Sequence, residues 1–219
     1  MYLAWAAFYE GGSDRSYFDE LLPRLLEEIA RTQGSRSITI PANPAISLGQ
    51  NGRTIEAVAA EICDTQEAFH IVFVHADTGG RALAAGLSNR SAAYCRAANE
   101  LCGWPCDRCI VLAPRHETEA WALADPTAVT EALGYTGLAS SIGLPADAAA
   151  AERLGDPKAV LAQAAEAVRG RRRRDSSSQL LTTIAQGQDL AALRQSPSFV
   201  QFENRLRVAL VSVGCLDRA

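Results

Sequence analysis

The apolar residues of the chain fall into two patterns: short continuous runs, and longer stretches in which they recur every three or four positions. Continuous runs over residues 2–9, 69–75 and 108–113 predict buried strands, because each is short and is followed closely by glycine or proline. Residues 36–41 predict another short strand, and the Pro-, Asn- and Gly-rich residues 41–52 predict a loop.

Between and after these strands, the apolar residues recur at helical spacing. Helices are predicted over residues 14–32, 54–68, 88–102, 117–124, 126–134, 156–169, 178–194 and 197–213. Strands that alternate with helices predict an α/β fold with a Rossmann-like, mostly parallel sheet of about four strands flanked by helices. No strand pattern returns after residue 117, so we expect an α/β domain over residues 1–125 and a helical C-terminal extension over 126–219 packed on it. The small residues of 135–155 predict the most flexible connection.

The composition is that of a globular protein, with 48% apolar and 21% charged residues. No segment approaches the roughly eighteen uncharged apolar residues that a bilayer span requires, and the N-terminus meets Glu10 too early for a secretory signal. The sequence therefore predicts no membrane association and a cytoplasmic location, in which the six cysteines would be reduced.

Four of the cysteines leave a zinc site open as an alternative. Cys106 and Cys109 have the spacing of a zinc knuckle, and Cys95 and Cys102 could complete four ligands. There is no second Cys-x-x-Cys pair, and Cys109 lies within an apolar run. Reduced, half-buried thiols are therefore the favoured interpretation.

A carboxylate directly after a predicted strand, followed by glycines, occurs twice in the chain. Glu10 follows the first strand and Asp77 follows the third. Because α/β proteins bind ligands where parallel strands end, the two carboxylates can meet there, and oxygen ligands suit a hard cation such as Mg²⁺. The alternatives are a solvated loop glutamate at Glu10 and an Asx turn at Asp77. His75 could be a further ligand, although a single histidine at a strand end is more often structural.

The segment after Glu10 predicts a phosphate-binding corner. Gly11, Gly12, Ser13 and Asp14 would turn sharply into the first helix and leave backbone N–H groups open to a phosphate. Glu10 would then act as a metal ligand or general base beside the phosphate. The alternative is an ordinary strand–turn–helix connection in which Ser13 or Asp14 caps the helix.

Two further glutamates, Glu117 and Glu119, follow the fourth predicted strand. If a helix begins here, only one of them can point toward the strand ends, and Glu117 is closer; Glu119 is an additional candidate ligand. The alternative is that both merely favour the positive end of a helix. Trp121 and Leu123 are expected to anchor this helix in the core.

Five arginines fall within residues 169–174, although the chain carries a net charge of −4. Arg171, Arg172, Arg173 and Arg174 are predicted to contact phosphates, because guanidinium groups pair with phosphate oxygens. The alternative is a solvated basic face. No RNA-recognition signature or aromatic stacking platform lies nearby.

Taken together, Glu-Gly-x-Ser-Asp, the strand ending at Asp77, and Glu-x-Glu-x-Trp resemble the TOPRIM-like proteins of the OLD-nuclease type. More narrowly, the chain resembles a small bacterial TOPRIM-like group, domain-of-unknown-function family 4276, almost from end to end. The resemblance implies a fold for phosphodiester chemistry that depends on Mg²⁺ or Mn²⁺. Glu10 matches the first glutamate of the family pattern and Asp77 the first aspartate of an Asp-x-Asp motif. The second aspartate is replaced by Gly79, so Glu117 or Glu119 would supply the missing oxygen.

We therefore expect a metal-dependent nuclease acting on DNA or RNA, with Glu10, Asp77 and Glu117 as catalytic residues. The resemblance further implies an ATPase partner protein and a role in anti-phage defence. A noncatalytic nucleic-acid-binding or regulatory subunit of an ATPase complex is the alternative, which Gly79 favours and the preserved Glu10 opposes. A protein that binds a nucleotide or another phosphate ligand at the same corner is a third interpretation.

Overall fold

A four-stranded parallel sheet forms the centre of the protein, as seen in a computed structural model that describes residues 1–34, 36–49, 54–75, 92–170 and 177–217. The strands are β1 (Trp5–Tyr9), β2 (Ile46–Gly49), β3 (Ile71–His75) and β4 (Cys109–Leu112). They lie in the spatial order β2-β1-β3-β4, and every neighbouring pair is parallel. The predicted α/β class and parallel sheet are confirmed.

Helices cover the sheet and form the C-terminal part of the chain. They are α1 (Gly12–Gln33), α2 (Ile55–Asp64), α3 (Ala92–Cys102), α4 (Glu119–Ala122), α5 (Pro126–Leu133), α6 (Ala148–Ala151), α7 (Pro157–Arg169), α8 (Ser177–Gly187), α9 (Leu190–Leu193) and α10 (Pro197–Ser212). Three of them, α5, α7 and α10, begin with an Asp or Ser cap followed by proline. This combination favours a helix start because the cap accepts backbone N–H bonds and proline needs none. In the described parts of the chain, no helix is long and apolar enough to cross a bilayer.

The two faces of the sheet pack against different helices. One face joins α1 and the C-terminal helices in a single core through Trp5, Ala7, Tyr9, Ile71, Phe73, Ile110 and Leu112. The other face packs on α2 and α3 through Ala6, Phe8, Val72, Val74, Cys109 and Val111. Because alternate residues point to opposite faces and both faces are covered, the central strands are apolar at every position except His75 at the end of β3.

The second strand lies at Ile46–Gly49 and not at 36–41, so this prediction was wrong. Within 36–41 the chain makes only an isolated bridge between Tyr2 and Thr39. β2 is an edge strand of four residues, and Ile46 is only half-buried. An edge strand of four residues contains few apolar positions, so the sequence pattern did not distinguish it from the loop predicted over 41–52.

The small-residue segment 135–155 is packed against the core. It contains a 3₁₀ turn at Ala139–Ile142 and the helix α6, and it buries Leu144, Ala148 and Ala151. The flexible connection expected there is not what the structure shows, because small residues here let the chain lie close to α4 and α7.

The C-terminal helices share the core of the α/β part. The Arg24 guanidinium donates to the backbone carbonyls of Ala185 and Gln188, the second at 2.8 Å. Buried Gln188 accepts a bond from the Tyr17 hydroxyl at 2.5 Å and donates to the Trp121 carbonyl at 2.6 Å. The expected boundary after Asp125 falls at a helix cap, between α4 and α5.

Two disulfides tie α3 to its neighbours. Cys63 pairs with Cys102, and Cys95 pairs with Cys109. The expectation of six reduced cysteines is therefore wrong for these four, because the fold brings residues from separate elements to bonding distance. The same pairings divide the four cysteines proposed as zinc ligands, and only Cys106 among them keeps a free thiol.

Candidate functional site

The sheet order places a change in the direction of the chain at the carboxyl ends of β1 and β3. The chain leaves β1 through α1 to reach β2 on one side, then crosses through α2 to β3 on the other side. Such a change of direction opens the crevice where α/β proteins bind ligands. Glu10 directly follows β1 and is half-buried. Asp77 follows the last residue of β3 by two positions and lies outside the described residues, as do Arg171–Arg174.

In the turn after Glu10, the Asp14 side chain already occupies one of the backbone N–H groups. The Gly11 N–H donates to Asp14 Oδ2 at 2.9 Å, which caps the start of α1. A phosphate predicted to contact the Gly11 N–H would have to replace this bond. Gly12 is exposed, and a Cβ built there would meet nothing within 4 Å, so space is open beside the corner.

Asp14 is the centre of a buried polar network that joins three strand ends. The Thr118 hydroxyl donates to Asp14 Oδ1 at 2.6 Å, and His75 Nε2 lies 3.6 Å from the same oxygen. His75 Nδ1 lies 3.1 Å from the Leu112 carbonyl oxygen, which can only accept, so Nδ1 carries a proton and donates it. His75 and Thr118 have no exposed surface. The network fixes the start of α1 and the loop after β4 against the end of β3.

In this network, Asp14 and His75 have a structural role that differs from the binding roles considered for them in the sequence analysis. Asp14 was predicted to contact phosphate, but its two oxygens accept bonds from Gly11 and Thr118. His75 is a buried hydrogen-bonded side chain at the end of β3. Thr118 was not predicted at all, because a threonine between two glutamates carries no sequence signal of its own.

The loop after β4 presents Glu117 through an unusual turn. The Glu117 N–H donates to the Arg115 carbonyl at 3.0 Å, around His116 with φ of 68°. An i→i+2 bond around a positive φ is the rarer and more strained form of γ-turn. Backbone strain of this kind is concentrated at functional sites.

One carboxylate oxygen of Glu117 is buried and accepts no hydrogen bond from the described residues. Its Oε2 atom is shielded from solvent and has no hydrogen-bond partner among the described residues. A carboxylate oxygen removed from water without a donor is costly. A cation beside this oxygen would remove the cost.

Glu119 begins α4 and is only 4% exposed. Burial raises the pKa of its carboxyl, and the negative charges of Glu117 and Asp14 raise the pKa further. A bond from its own backbone N–H and the positive charge of Lys158 act in the opposite direction. The Glu119 carboxyl therefore lies within electrostatic reach of two other carboxyl groups, that of Glu117 in the same loop and that of Asp14 in α1. Trp121 and Leu123 are fully buried behind them, which confirms their predicted anchoring role.

No set of three or more His, Cys, Asp or Glu side chains placed to hold a metal ion occurs among the residues described in the structure. Of the four predicted ligands, the structure places Glu10 at the end of β1 and Glu117 and Glu119 after β4. Asp77, the ligand expected between them, is outside the described residues.

Comparison of the chain with protein-family models, with curated proteins and with solved structures finds no match in any of the three. The TOPRIM-like resemblance therefore stays a prediction from the motifs.

Replacing Thr118 by valine keeps the buried shape but removes the hydroxyl that donates to Asp14. We expect the free energy of unfolding to fall by about 1–3 kcal/mol, because Asp14 Oδ1 loses its donor while it stays buried. Thr118→Ser keeps the hydroxyl and is the matched control, with a loss of about 1 kcal/mol for one buried methyl group. Urea unfolding measures both. A serine variant that is as unstable as the valine variant would contradict the role of the hydroxyl.

Glu119→Gln removes a carboxyl whose pKa is raised in the folded state. The folded protein holds this proton more tightly than the unfolded chain, so wild-type stability falls as pH rises from the ordinary value of 4.5 toward the raised pKa. We expect the stability of the variant relative to wild type to increase across that window. Urea unfolding at a series of pH values measures it, with Glu131→Gln, an exposed helix position, as the control for removing one carboxyl. A difference that is constant with pH would refute the prediction.

Proposed function

We propose that the chain is a Mg²⁺- or Mn²⁺-dependent phosphodiester hydrolase of TOPRIM-like type that acts on DNA or RNA. The observation that carries the proposal is the order of the strands. Glu10 follows β1, Asp77 follows the neighbouring β3, and Glu117 follows β4 on the other side of β3. Three acidic residues thus come after three adjacent strands in the sequence, and the carboxyl ends of those strands meet at one edge of the sheet, where a ligand-binding crevice is expected.

The residues of this edge fit a hard divalent cation. Such ions prefer carboxylate oxygens, and Glu117 Oε2 is a buried carboxylate oxygen without a donor in the described parts of the chain. Asp14 is not a suitable ligand, because both its oxygens accept hydrogen bonds from the protein. Glu10, Asp77 and Glu117 are therefore the proposed ligands. Glu119 is a candidate fourth ligand. A nearby cation would lower its raised pKa and so favour the ionised carboxylate that binds a metal.

Each part of the site has a distinct task in this proposal. A bound cation would polarise the scissile phosphate and favour ionisation of an attacking water. The open corner at Gly12, at the start of α1, would receive a phosphate of the substrate. Asp14 and Thr118 are positioning residues that hold the loop of Glu117 in place. Arg171–Arg174 would contact further phosphates along the strand.

A partner and a cellular role are proposed from the resemblance alone. It implies an ATPase that works with this chain, an anti-phage function and a cytoplasmic location. The two disulfides, by contrast, are more typical of proteins from oxidising compartments.

The second candidate function is a noncatalytic nucleic-acid-binding or regulatory subunit of an ATPase complex. The specific observation in its favour is Gly79, which stands where the resemblance expects the second aspartate. Loss of that carboxylate would weaken catalysis and leave the basic run intact.

The first experiment is calorimetric titration of Mg²⁺ and of Mn²⁺ into the wild type and into Glu10→Ala/Asp77→Ala. We expect binding in the wild type and none in the double variant, because both proposed ligands from neighbouring strands are gone. Glu117→Gln should weaken binding by roughly 10–100-fold, in the range seen when a supporting group of a metal site is lost. Glu131→Gln, on the surface of α5, is the matched control with unchanged affinity.

Thermal unfolding of each variant separates loss of the site from loss of the fold. Absence of binding by the folded wild type, both alone and with an oligonucleotide present, would refute the metal site. The preparation must be treated with a chelator beforehand, so that a retained ion does not hide binding.

Replacing Arg171–Arg174 by glutamine distinguishes the two candidate functions. If binding is the main role, affinity for a labelled oligonucleotide should fall, and the slope of log affinity against log salt should decrease by about one unit for each lost phosphate contact. Glu10→Ala/Asp77→Ala would then change affinity little. If the chain is a nuclease, the carboxylate variant should instead abolish metal-dependent cleavage of the same oligonucleotide. Fluorescence anisotropy and gel analysis measure the two outcomes.

A further inference from the structure

Three cysteines line one cavity near the start of β4, whereas the proposed ligand Glu117 comes after the other end of this strand. The cavity has a volume of about 310 Å³ and is bordered by α3, β4, the 3₁₀ turn at Cys106–Arg108 and α10. Cys95 and Cys109, which form a disulfide, and the thiol of Cys106 all belong to its lining. Charged side chains of Arg96, Asp107 and Arg205 line the same cavity, so water can enter it. A free thiol and a disulfide therefore share one solvated space.

The three cysteines differ in access. Cys106 is exposed, whereas Cys95 and Cys109 are 7% and 8% exposed. A disulfide with so little exposed surface is protected from large reagents. The neighbouring thiol of the same chain is already inside the shared cavity, at a high effective concentration.

Backbone geometry places Cys109 within reach of two different cysteines. Its Cα lies 5.7 Å from that of Cys95 in the disulfide. The Cys109 N–H also donates to the Cys106 carbonyl, which closes the 3₁₀ turn between them. Residues three apart in such a turn are separated by about 6 Å, inside the Cα–Cα range of about 4.4–6.8 Å that a disulfide accepts.

We propose that this cavity is a thiol–disulfide exchange site in which Cys106 attacks the Cys95–Cys109 disulfide. The Cys106 thiolate sulfur attacks Cys109 Sγ, the Cys106–Cys109 bond forms, and the Cys95–Cys109 bond breaks. Cys95 leaves as a thiolate and takes up the proton that Cys106 has lost. One disulfide is consumed and one is made, so the step needs no external oxidant or reductant.

The two pairings have different structural consequences. Cys95–Cys109 ties α3 to β4, and Cys63–Cys102 ties α3 to α2. After exchange, the bond between Cys106 and Cys109 lies within one turn of chain, and α3 keeps only its link to α2. The exchange therefore releases one covalent attachment of α3 without changing the number of disulfides.

Tryptic mapping of the full chain, purified without reductant, tests the proposal. Free thiols are first blocked with N-ethylmaleimide at mildly acidic pH, which stops exchange. Cleavage after arginine then separates Cys95 in peptide 91–96, Cys109 in peptide 109–115, and Cys106 with Cys102 in peptide 97–108. Peptide 97–108 is linked to peptide 54–81 through Cys63–Cys102 in either case. We expect two populations: peptide 91–96 linked to 109–115 with Cys106 labelled, and peptide 97–108 linked to both 54–81 and 109–115 with Cys95 labelled.

Two serine variants make the result specific. Cys106→Ser should reduce labelling of Cys95 by at least about tenfold, since no other accessible thiol can supply the exchange. Cys215→Ser should leave the two populations unchanged, because Cys215 is buried and burial raises the pKa of its thiol. Cys95→Ser should yield a Cys106–Cys109 link after air oxidation, which tests the reach of the turn without relying on the exchange.

Three outcomes would overturn the proposal. The first is wild-type protein in which Cys95 is never labelled after incubation at alkaline pH, while Cys106 is labelled fully. The second is equal labelling of Cys95 in the wild type and in Cys106→Ser. The third, which would favour a metal site, is labelling of Cys95, Cys106 and Cys109 together only after treatment with a zinc chelator. None of these results depends on whether the chain is a nuclease.

Discussion

The buried bond between Thr118 and Asp14, with His75 beside it, is the interaction on which the arrangement of the site depends. It joins the start of α1, the end of β3 and the loop after β4, which are far apart in sequence. Each group is almost without exposed surface, so each must find its partner inside the protein. A buried carboxylate that accepts two bonds from the chain is fixed in position. The strained turn at His116 and the side chain of Glu117 directly precede Thr118, which this bond holds in place.

The C-terminal helices support the same loop from behind. Trp121 of α4 stacks edge-on against Phe199 and donates to the Ser198 hydroxyl at 2.7 Å. Buried Glu152 accepts from that hydroxyl and from the Ser198 N–H, the latter at 2.8 Å. The C-terminal extension is thus part of the scaffold of the site, because α4 connects the carboxylates of the loop to the large core.

The proposed metal site and the proposed thiol–disulfide exchange site lie at opposite ends of β4. The proposed metal ligands follow β1, β3 and β4 at the carboxyl edge of the sheet, whereas the exchanging cysteines lie at the beginning of β4 and on α3. β4 is common to both, since Cys109 begins the strand and Leu112 ends it. The proposed exchange would thus change a covalent bond to the strand that precedes Glu117.

The sequence by itself determined the fold class, the positions of β1, β3 and β4, and the start of most helices. Those features rest on local rules: continuous apolar runs between two covered faces, helical spacing, and caps followed by proline. It also placed Glu10 directly after β1 and Glu117 in the segment that follows β4. Tertiary structure alone decided the position of β2, whose four residues become a strand only by pairing with β1. It likewise decided the bond of Thr118 to Asp14 and the pairing of Cys95 with Cys109, because contacts between residues 104 and 14 positions apart leave no periodic trace in the chain.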